Sequence, residues 1–413
     1  METRIDNIGK LVAVPPGPVA GELFAAPPLL TGASLLINDG WIAWFGPQDE
    51  SPDASGKVAV IDAAGGTVVP GLVDCHTHVV HAGCREDEFV RRITGASYIE
   101  ILEAGGGIKN SVRALREASV DDLAQESRPR LQRMLATGTT TVEAKSGYGL
   151  DPENEIKTLQ TIKRLNDETA LDIVPTFLGA HTIPPEYDGR ADDFIELISS
   201  ASLLQRICDE SLAEFADVFC ERGAFDIAQS RRFLTACKAA GLKPKIHSEQ
   251  ITNSGATMLG IELGAISADH LEFVDDDTIA ALKASDTIPV LLPGCSFFLG
   301  SPPAPARKLI DAGLPVALAT DCNPGSCTVE SLPLIMSIAA TMLRMTPLES
   351  LVACTANAAA AIDRADTIGA IAIGHQADLL ILDIPNVNQW AYRVGVNPVR
   401  TVIKRGRIVH ENR

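Results

Sequence analysis

The segment Val68-Val69-Pro70-Gly71, followed shortly by Asp74-Cys75-His76-Thr77-His78, predicts a buried β-strand that ends in polar residues. His76 and His78 are two positions apart, so on an extended strand both imidazoles point to the same side and can reach one metal ion. Taken alone, such a pair is a weak motif, because ordinary polar residues also close strands. Its meaning depends on whether the rest of the chain repeats the pattern.

The chain does repeat it: an apolar run, a polar residue at its end, then a helical segment. The eight candidate strands cover residues 66–76, 139–145, 172–180, 216–221, 243–247, 265–270, 287–293 and 315–321. Nearly continuous apolar strands that alternate with amphipathic helices indicate a parallel sheet covered by helices. Eight units of this kind predict an α/β fold of the (β/α)8 TIM barrel type. A doubly wound sheet is the alternative, but no GxGxxG follows an early strand.

Both ends of the chain have a different character, with short strands and tight turns. Asp39-Gly40 and Arg405-Gly406 are typical hairpin turns between apolar runs. We expect residues 1–65 and 364–413 to form one small composite β-sandwich, and residues 66–363 to form the barrel domain. At 413 residues, a large domain beside a smaller one is the natural expectation.

Residues 77–137 form an excursion that is too long for a simple connection between the first two strands. Excursions at the catalytic end of a barrel often shape a pocket. Gly105-Gly106-Gly107 lies inside it and indicates a flexible turn. A phosphate-binding role is disfavoured, because no Lys-Ser/Thr follows in a strand–loop–helix context.

The histidines carry the strongest chemical signal. Of the eight in the chain, six lie at or just beyond predicted strand ends: His76, His78, His81, His181, His247 and His270. Asp321 closes the eighth strand. Because the carboxyl ends of barrel strands meet at one face, this pattern predicts a metal held by His76, His78, His247 and Asp321.

Composition limits the class of partner. The formal net charge of −18 argues against nucleic acid and anionic membranes, both of which require a basic face. An anionic substrate would therefore need a local cationic pocket. The nine cysteines have no CxxC spacing, which indicates reduced thiols. The sequence has neither a signal-peptide pattern at its start nor an apolar run of about 18 residues, so a cytoplasmic location is expected.

The pattern resembles the amidohydrolase superfamily and, at closer range, its imidazolonepropionase family. The Lys145–Leu150 block and Gly179-Ala180-His181 narrow the match from superfamily to family. Segments that also match are residues 70–78, 95–98, 104–107, 142–151, 176–181, 184–187, 247–250, 267–272 and 319–326. The resemblance implies a barrel with a composite β-sandwich, which agrees with the periodicity.

The resemblance also bears on the metal. Binuclear relatives carry a bridging lysine on the fourth strand, whereas this strand, Asp217-Val218-Phe219-Cys220-Glu221, has none. One ion is therefore expected, with Glu221 as the residue that could bridge a second. Imidazole and carboxylate ligands suit Zn²⁺ or Fe²⁺, and the sequence does not separate them. Cys75 and Cys322 are expected in the core.

By resemblance, the reaction is hydrolysis of the ring C–N bond of 4-imidazolone-5-propanoate to N-formimino-L-glutamate. His270, at the end of the sixth strand, is the candidate proton shuttle, with Asp321 sharing that work. A fourth metal-shell histidine or a structural role is the alternative for His270. Gln250 is expected to hydrogen-bond the imidazolone ring, and His181 to polarise its carbonyl oxygen or contact a ring nitrogen. For each residue, support of a metal ligand is the alternative.

The substrate's propanoate needs a cation, and the resemblance makes Arg85 the candidate. Without the resemblance, an arginine in this acidic stretch would be read as a solvated charge. Tyr148 is expected to add a hydroxyl. The residues after Asp321 that are expected to line the pocket are Asn323, Gly325 and Ser326.

Three other functions are alternatives to this one. A deaminase or cyclic amidohydrolase acting on another heterocycle is the nearest one, and Arg85 and Tyr148 argue against an uncharged substrate. A scaffold that has lost its chemistry is disfavoured by the intact ligand set, and a redox role lacks a cofactor motif. The resemblance implies a homodimer.

Overall fold

Eight parallel strands form a closed barrel in the computed structural model, which describes residues 2–52, 58–95 and 106–412. The strands are Leu72–Asp74, Thr139–Lys145, Asp172–Ala180, Phe215–Val218, Lys243–Pro244 continued by Ile246–Ser248, Ser267–His270, Ile288–Leu291 and Ala317–Leu318. Strands one to five pair in sequence order, and so do strands five to eight. Parallel bridges between Phe219 and His247 and between Thr77 and Cys322 join the two sheets. The predicted TIM barrel is confirmed.

The strands are buried on both faces, which explains their apolar runs. A cluster of buried hydrophobic residues that includes Val73, Cys75, Phe215 and Val290 draws on several of the barrel strands. Cys75 is fully buried and Cys322 nearly so, as predicted. The larger hydrophobic cluster lies between strands and helices.

Helices follow the strands, and some of them begin at a residue whose side chain caps the helix. Asp151 accepts a hydrogen bond from Asn154 N, and Asp226 forms a reciprocal capping box with Gln229. The α-helices are Gly21–Ala25, Glu86–Ile93, Ile108–Glu117, Val120–Ala136, Pro152–Glu168, Ala191–Ile198, Ala201–Asp209, Ile227–Ala239, Ala256–Leu263, Asp276–Lys283, Pro293–Leu299, Ala306–Asp311, Leu332–Ile338, Pro347–Ala353, Ala356–Ala360 and Asn388–Tyr392. Short 3-10 turns cover Gln48–Glu50 and Pro185–Tyr187, and a π-helical turn covers Ala339–Leu343.

Strands from both chain ends pair in one eight-stranded mixed sheet. They are Glu2–Val12, Leu29–Asn38, Trp41–Pro47, Ala59–Asp62, Thr67–Pro70, Leu379–Leu382, Val399–Lys404 and Arg407–Glu411. The two predicted hairpins are present, with positive φ angles at Asp39, Gly40, Arg405 and Gly406 as their tight turns require. One hydrophobic cluster draws on strands from both ends.

The predicted first strand, residues 66–76, is in fact two strands. Thr67–Pro70 pairs antiparallel with Leu379–Leu382 in the terminal sheet, and only Leu72–Asp74 belongs to the barrel. The change occurs at Gly71, where an added Cβ would lie 2.4 Å from Thr140 Oγ1. The division into domains 1–65 with 364–413 and 66–363 stays a prediction.

In the described residues of the excursion after the first strand, the helices Glu86–Ile93 and Ile108–Glu117 precede the helix Val120–Ala136. The matched segments 95–98 and 104–107 lie partly outside the described residues, and with them Gly105 of the predicted glycine turn. Within the described ranges, no helix has both the length and the apolar character needed to cross a bilayer.

Candidate metal centre and substrate pocket

The first and eighth strands bring the HxH pair and Asp321 together. Beyond their ends, His78 N donates to Cys322 O (2.9 Å) and Asp321 N donates to His76 O (3.1 Å). Asp321 Oδ1 consequently lies 3.6 Å from both His76 Nε2 and His78 Nε2. The fifth strand adds His247, whose ring centroid is 4.5 Å from that of His76.

This arrangement has the chemistry of a divalent metal site. One ligand atom from each of His76, His78 and His247 lies within 4.8 Å of the others, and all three residues are buried. His76 Nε2 and His247 Nε2 are buried without a hydrogen-bond partner among the described residues. Burial lowers the pKa of His76 and His78 well below 6.5, which favours the neutral imidazoles that bind metal. The residues present therefore fit a divalent ion.

A buried charge network lies directly behind these histidines. His76 Nδ1 is 2.6 Å from Asp269 Oδ2, and His247 Nδ1 is 3.0 Å from Asp217 Oδ2, although this second contact lacks hydrogen-bond alignment. Lys145 Nζ donates to Asp217 Oδ2 (2.8 Å). Burial alone lowers the pKa of Lys145, but the neighbouring carboxylates raise it overall, so the ammonium persists at neutral pH.

His270 lies at the end of the sixth strand with its ring centroid 5.8 Å from that of His76. Its Nδ1 is 3.4 Å from Glu272 Oε1. Burial opposes protonation of His270, but the carboxylates of Glu272, Asp321 and Asp269 together outweigh it and the pKa is raised. Positive φ angles at His270 (90°) and Asp321 (54°) show backbone strain at this strand edge, a frequent property of functional sites.

A cavity of about 820 Å³ opens in front of the histidines, and it brings together the predicted substrate residues. They are Arg85, Tyr148, His181, Gln250, Asn323, Gly325 and Ser326. Burial is the main cause that raises the pKa of Tyr148, so its hydroxyl stays protonated and can donate. Gln250 Nε2 is 3.6 Å from Cys295 Sγ, which is buried.

Asn323 organises the turn after Asp321. Its Nδ2 donates to Asp321 O (2.6 Å), and its Oδ1 accepts from Gly325 N and Ser326 N. Asn323 Nδ2, Gly325 N and Ser326 N therefore donate their hydrogen bonds within the turn. The turn contributes to the cavity through its shape. An added Cβ on Gly325 would lie 2.1 Å from Arg85 Nη1, so glycine leaves room for the guanidinium.

Glu221, the residue considered for a second metal, is fully engaged by the loop after the fifth strand. Its carboxylate accepts from Ile251 N, Thr252 N and Thr252 Oγ1, and from Arg222 N. These bonds fix the loop that carries Gln250, and each of the two Glu221 oxygens accepts two of them. The bridging role considered for Glu221 stays a prediction.

Sequence reasoning missed the residues behind the metal ligands. The sequence-based prediction assigned the metal centre to histidines and Asp321 and gave no role to Asp269, Asp217 or Lys145. A signal was present: in Glu143-Ala144-Lys145, two charged residues flank an apolar one in a strand whose other residues carry no charge, which places both charges on the same face. Glu272 and Cys295 carry no comparable signal.

Comparison with known proteins agrees with this geometry. The amidohydrolase family model matches residues 85–410. An imidazolonepropionase from Geobacillus kaustophilus (strain HTA426) is 49% identical over 396 residues, covering 95% of this chain and 93% of the relative.

Solved structures give the fold. A 5-methylcytosine deaminase from Klebsiella pneumoniae, liganded with 5-fluorocytosine, superposes with a TM-score of 0.75 at 18% identity, covering 99% of this chain and 98% of that one. An adenosine deaminase from Xanthomonas campestris with bound zinc gives a TM-score of 0.69 at 17% identity, covering 98% and 92%. At 17% and 18% identity, the likeness to these two structures concerns the fold alone. The match to the imidazolonepropionase, at 49% identity, is far closer. The chain belongs to the imidazolonepropionase family of the amidohydrolases.

Proposed function

We propose that the chain hydrolyses 4-imidazolone-5-propanoate to N-formimino-L-glutamate with one divalent ion, Zn²⁺ or Fe²⁺, held by His76, His78, His247 and Asp321. Family membership makes it a hydrolase of the cyclic C–N bond in histidine degradation. The observation that carries the detailed proposal is the convergence of three buried imidazoles and one carboxylate at the mouth of a cavity that also holds Arg85.

The metal and His270 divide the chemistry. When bound, a divalent ion acts as a Lewis acid and lowers the pKa of water from 15.7 to about 7. His270 takes the proton of the attacking water and returns it to the ring nitrogen that leaves, while Glu272 holds its Nδ1. Asp321, whose Oδ1 lies 3.6 Å from two of the imidazole nitrogens, shares this proton transfer.

His181 and Gln250 orient the imidazolone ring. His181 Nδ1 is 2.9 Å from Gly147 O, which can only accept, so the proton of the neutral ring lies on Nδ1. Burial lowers the pKa of His181 to about 3, which keeps the ring neutral. Nε2 is then an acceptor suited to a ring N–H, and less suited to polarising the carbonyl. Gln250, which also lines the cavity, hydrogen-bonds the ring through its amide.

Arg85 and Tyr148 bind the propanoate. The guanidinium supplies the local positive charge that a chain of net charge −18 needs for an anionic substrate. Tyr148 donates its hydroxyl to the same carboxylate. The turn formed by Asn323, Gly325 and Ser326 shapes the wall beside Arg85.

We expect the enzyme to act as a homodimer in the cytoplasm. All nine cysteines are unpaired, in keeping with a reducing compartment. The dimer follows from the family alone, and analytical ultracentrifugation tests it.

The decisive experiment incubates purified protein, loaded with Zn²⁺ or Fe²⁺, with 4-imidazolone-5-propanoate and follows the loss of its ultraviolet absorbance. We expect turnover to N-formimino-L-glutamate and one equivalent of metal by elemental analysis. Cytosine and adenine are the controls, because they lack a carboxylate for Arg85. A full metal complement without turnover of the imidazolone would defeat the substrate assignment, and deamination of a control would favour the nearest alternative.

A further inference from the structure

A single buried ammonium connects the carboxylates behind two of the candidate metal ligands. Lys145 Nζ lies 2.8 Å from Asp217 Oδ2 and 3.8 Å from Asp269 Oδ2. The same two oxygens face His247 Nδ1 at 3.0 Å and His76 Nδ1 at 2.6 Å. Each carboxylate oxygen is thus shared between Lys145 and one imidazole.

These groups are isolated from solvent. The side chains of Lys145, Asp217 and Asp269 are fully buried, as is that of Glu143, which accepts from Lys145 Nζ at 2.7 Å. Asp217 Oδ1 and Asp269 Oδ1 have no hydrogen-bond partner in the described part of the chain. Each aspartate is therefore held through one oxygen only, and Lys145 is a contact of that oxygen in both cases.

We propose that Lys145 is a positioning residue of the metal centre: it holds Asp217 and Asp269 so that they fix the orientations of His247 and His76. Lys145 itself does not line the cavity, so it acts through these residues and touches no substrate. Carboxylates that bind the far nitrogen of a ligand imidazole fix its tautomer and its ring orientation. Without the ammonium, three buried carboxylates would face one another uncompensated and would leave their present positions.

Net charge and geometry give opposite expectations for the loss of Lys145. Removing a positive charge near a divalent cation increases the Coulomb attraction and strengthens binding. Losing the orientation of two imidazoles weakens binding. The direction of the change in metal affinity therefore distinguishes a positioning role from a purely electrostatic one.

The test measures the dissociation constant of Zn²⁺ by chelator competition for wild type and for Lys145→Met. We expect binding weakened by about 10- to 100-fold, the range for loss of outer contacts of metal ligands. The visible absorption spectrum of the Co²⁺-loaded protein should change as well. Binding within twofold of wild type, or tighter binding, would overturn the proposal.

Lys245→Met is the matched control. Lys245 is also a fully buried lysine, between the two segments of the fifth strand, but its Nζ donates to Ala361 O (2.8 Å) and not to a carboxylate beside a ligand histidine. We expect this variant to lose stability and to keep the wild-type affinity and Co²⁺ spectrum. Equal weakening in both variants would mean that any buried lysine disturbs the barrel, and the specific role of Lys145 would be wrong.

The double variant Glu143→Gln with Lys145→Met keeps the net charge of the network, because it removes one carboxylate together with the ammonium. If the single variant does not fold, this double variant tests whether Lys145 positions the metal ligands. Affinity weakened at least tenfold supports positioning, and wild-type affinity refutes it. The inference rests on the metal site proposed above. Wild-type protein that binds no divalent ion refutes that site, whereas equal affinity in wild type and variant refutes only the role of Lys145.

Discussion

Arg85 is fixed by the protein itself. Glu88 Oε2 accepts from Arg85 Nε and lies 2.8 Å from Arg85 Nη2, and the same oxygen accepts from Gly107 N at 3.0 Å. The guanidinium is therefore held on one edge, and Nη1 is directed toward Gly325 at the cavity wall. A side chain already ordered in this way loses little conformational entropy when it binds a carboxylate.

Replacing Arg85 by alanine should weaken use of the anionic substrate. Losing a charge-assisted contact of about 1.5–3 kcal/mol lowers kcat/KM by about ten- to a hundredfold, mainly through a higher KM. Steady-state kinetics on 4-imidazolone-5-propanoate measures this change. Arg91→Ala is the control, because Arg91 is exposed on the same helix and does not line the cavity. An unchanged KM in Arg85→Ala would show that another group binds the propanoate.

At the scale of elements, one buried carboxylate holds the loop that carries Tyr148. Glu155, on the helix Pro152–Glu168, accepts from Gly147 N, Gly149 N and Leu150 N at 2.8–3.1 Å. Gly149 approaches this helix so closely that an added Cβ would lie 2.5 Å from the carbonyl carbon of Asn154. The position of Tyr148 in the cavity is therefore set by a helix that does not itself line the cavity.

Glu155→Gln should loosen this loop, because the amide nitrogen of glutamine cannot accept and faces backbone donors. Leaving such donors unsatisfied costs about 1–3 kcal/mol, so the midpoint of thermal unfolding should fall and KM should rise. Calorimetry and steady-state kinetics measure the two effects. Glu153→Gln on the exposed side of the same helix should change neither. Unchanged stability in Glu155→Gln would remove the loop-holding role.

At the scale of the whole molecule, the sequence predicts well those structural features that a local pattern determines. Strand periodicity and polar residues at strand ends sufficed for the barrel and for His76, His78 and His247, because parallel strands bring their carboxyl ends to one face. Residues whose role depends on distant pairing escaped prediction. Lys145 meets Asp217 and Asp269 only through the order of barrel strands, and Thr67–Pro70 joins the terminal sheet only through Leu379–Leu382.

The terminal sheet and the barrel are joined by such a distant contact. Asp172 begins the third barrel strand, and its carboxylate binds Lys404 Nζ (2.8 Å) and Arg405 Nη2 (2.8 Å) at the end of a terminal-sheet strand. Lys404 is 4% exposed and also binds Asp378. Burial raises the pKa of Asp172, but Lys404 and Arg405 outweigh it, and the pKa is lowered below 3.8.

This lowered pKa predicts a pH-dependent contribution to stability. A carboxyl whose folded pKa lies below its unfolded value stabilises the fold above the unfolded pKa of 3.8, and the contribution is lost as pH falls through the folded pKa. Asp172→Asn should therefore lower the free energy of unfolding at pH 7 by about 1 kcal/mol. The difference from wild type should shrink as the pH is lowered below 3.8. Urea unfolding followed by circular dichroism at pH 7, 5 and 3 measures it.

The control for this contact is Asp383→Asn, which removes an ion pair with Arg400 (3.0 Å) at the surface of the terminal sheet. Because that pair is exposed and does not join the sheet to the barrel, its loss should cost less, about 0.5 kcal/mol or below. An Asp172→Asn deficit that is no larger than this at pH 7, or that is undiminished at pH 3, would mean that the Asp172 contact does not couple the sheet to the barrel through its charge.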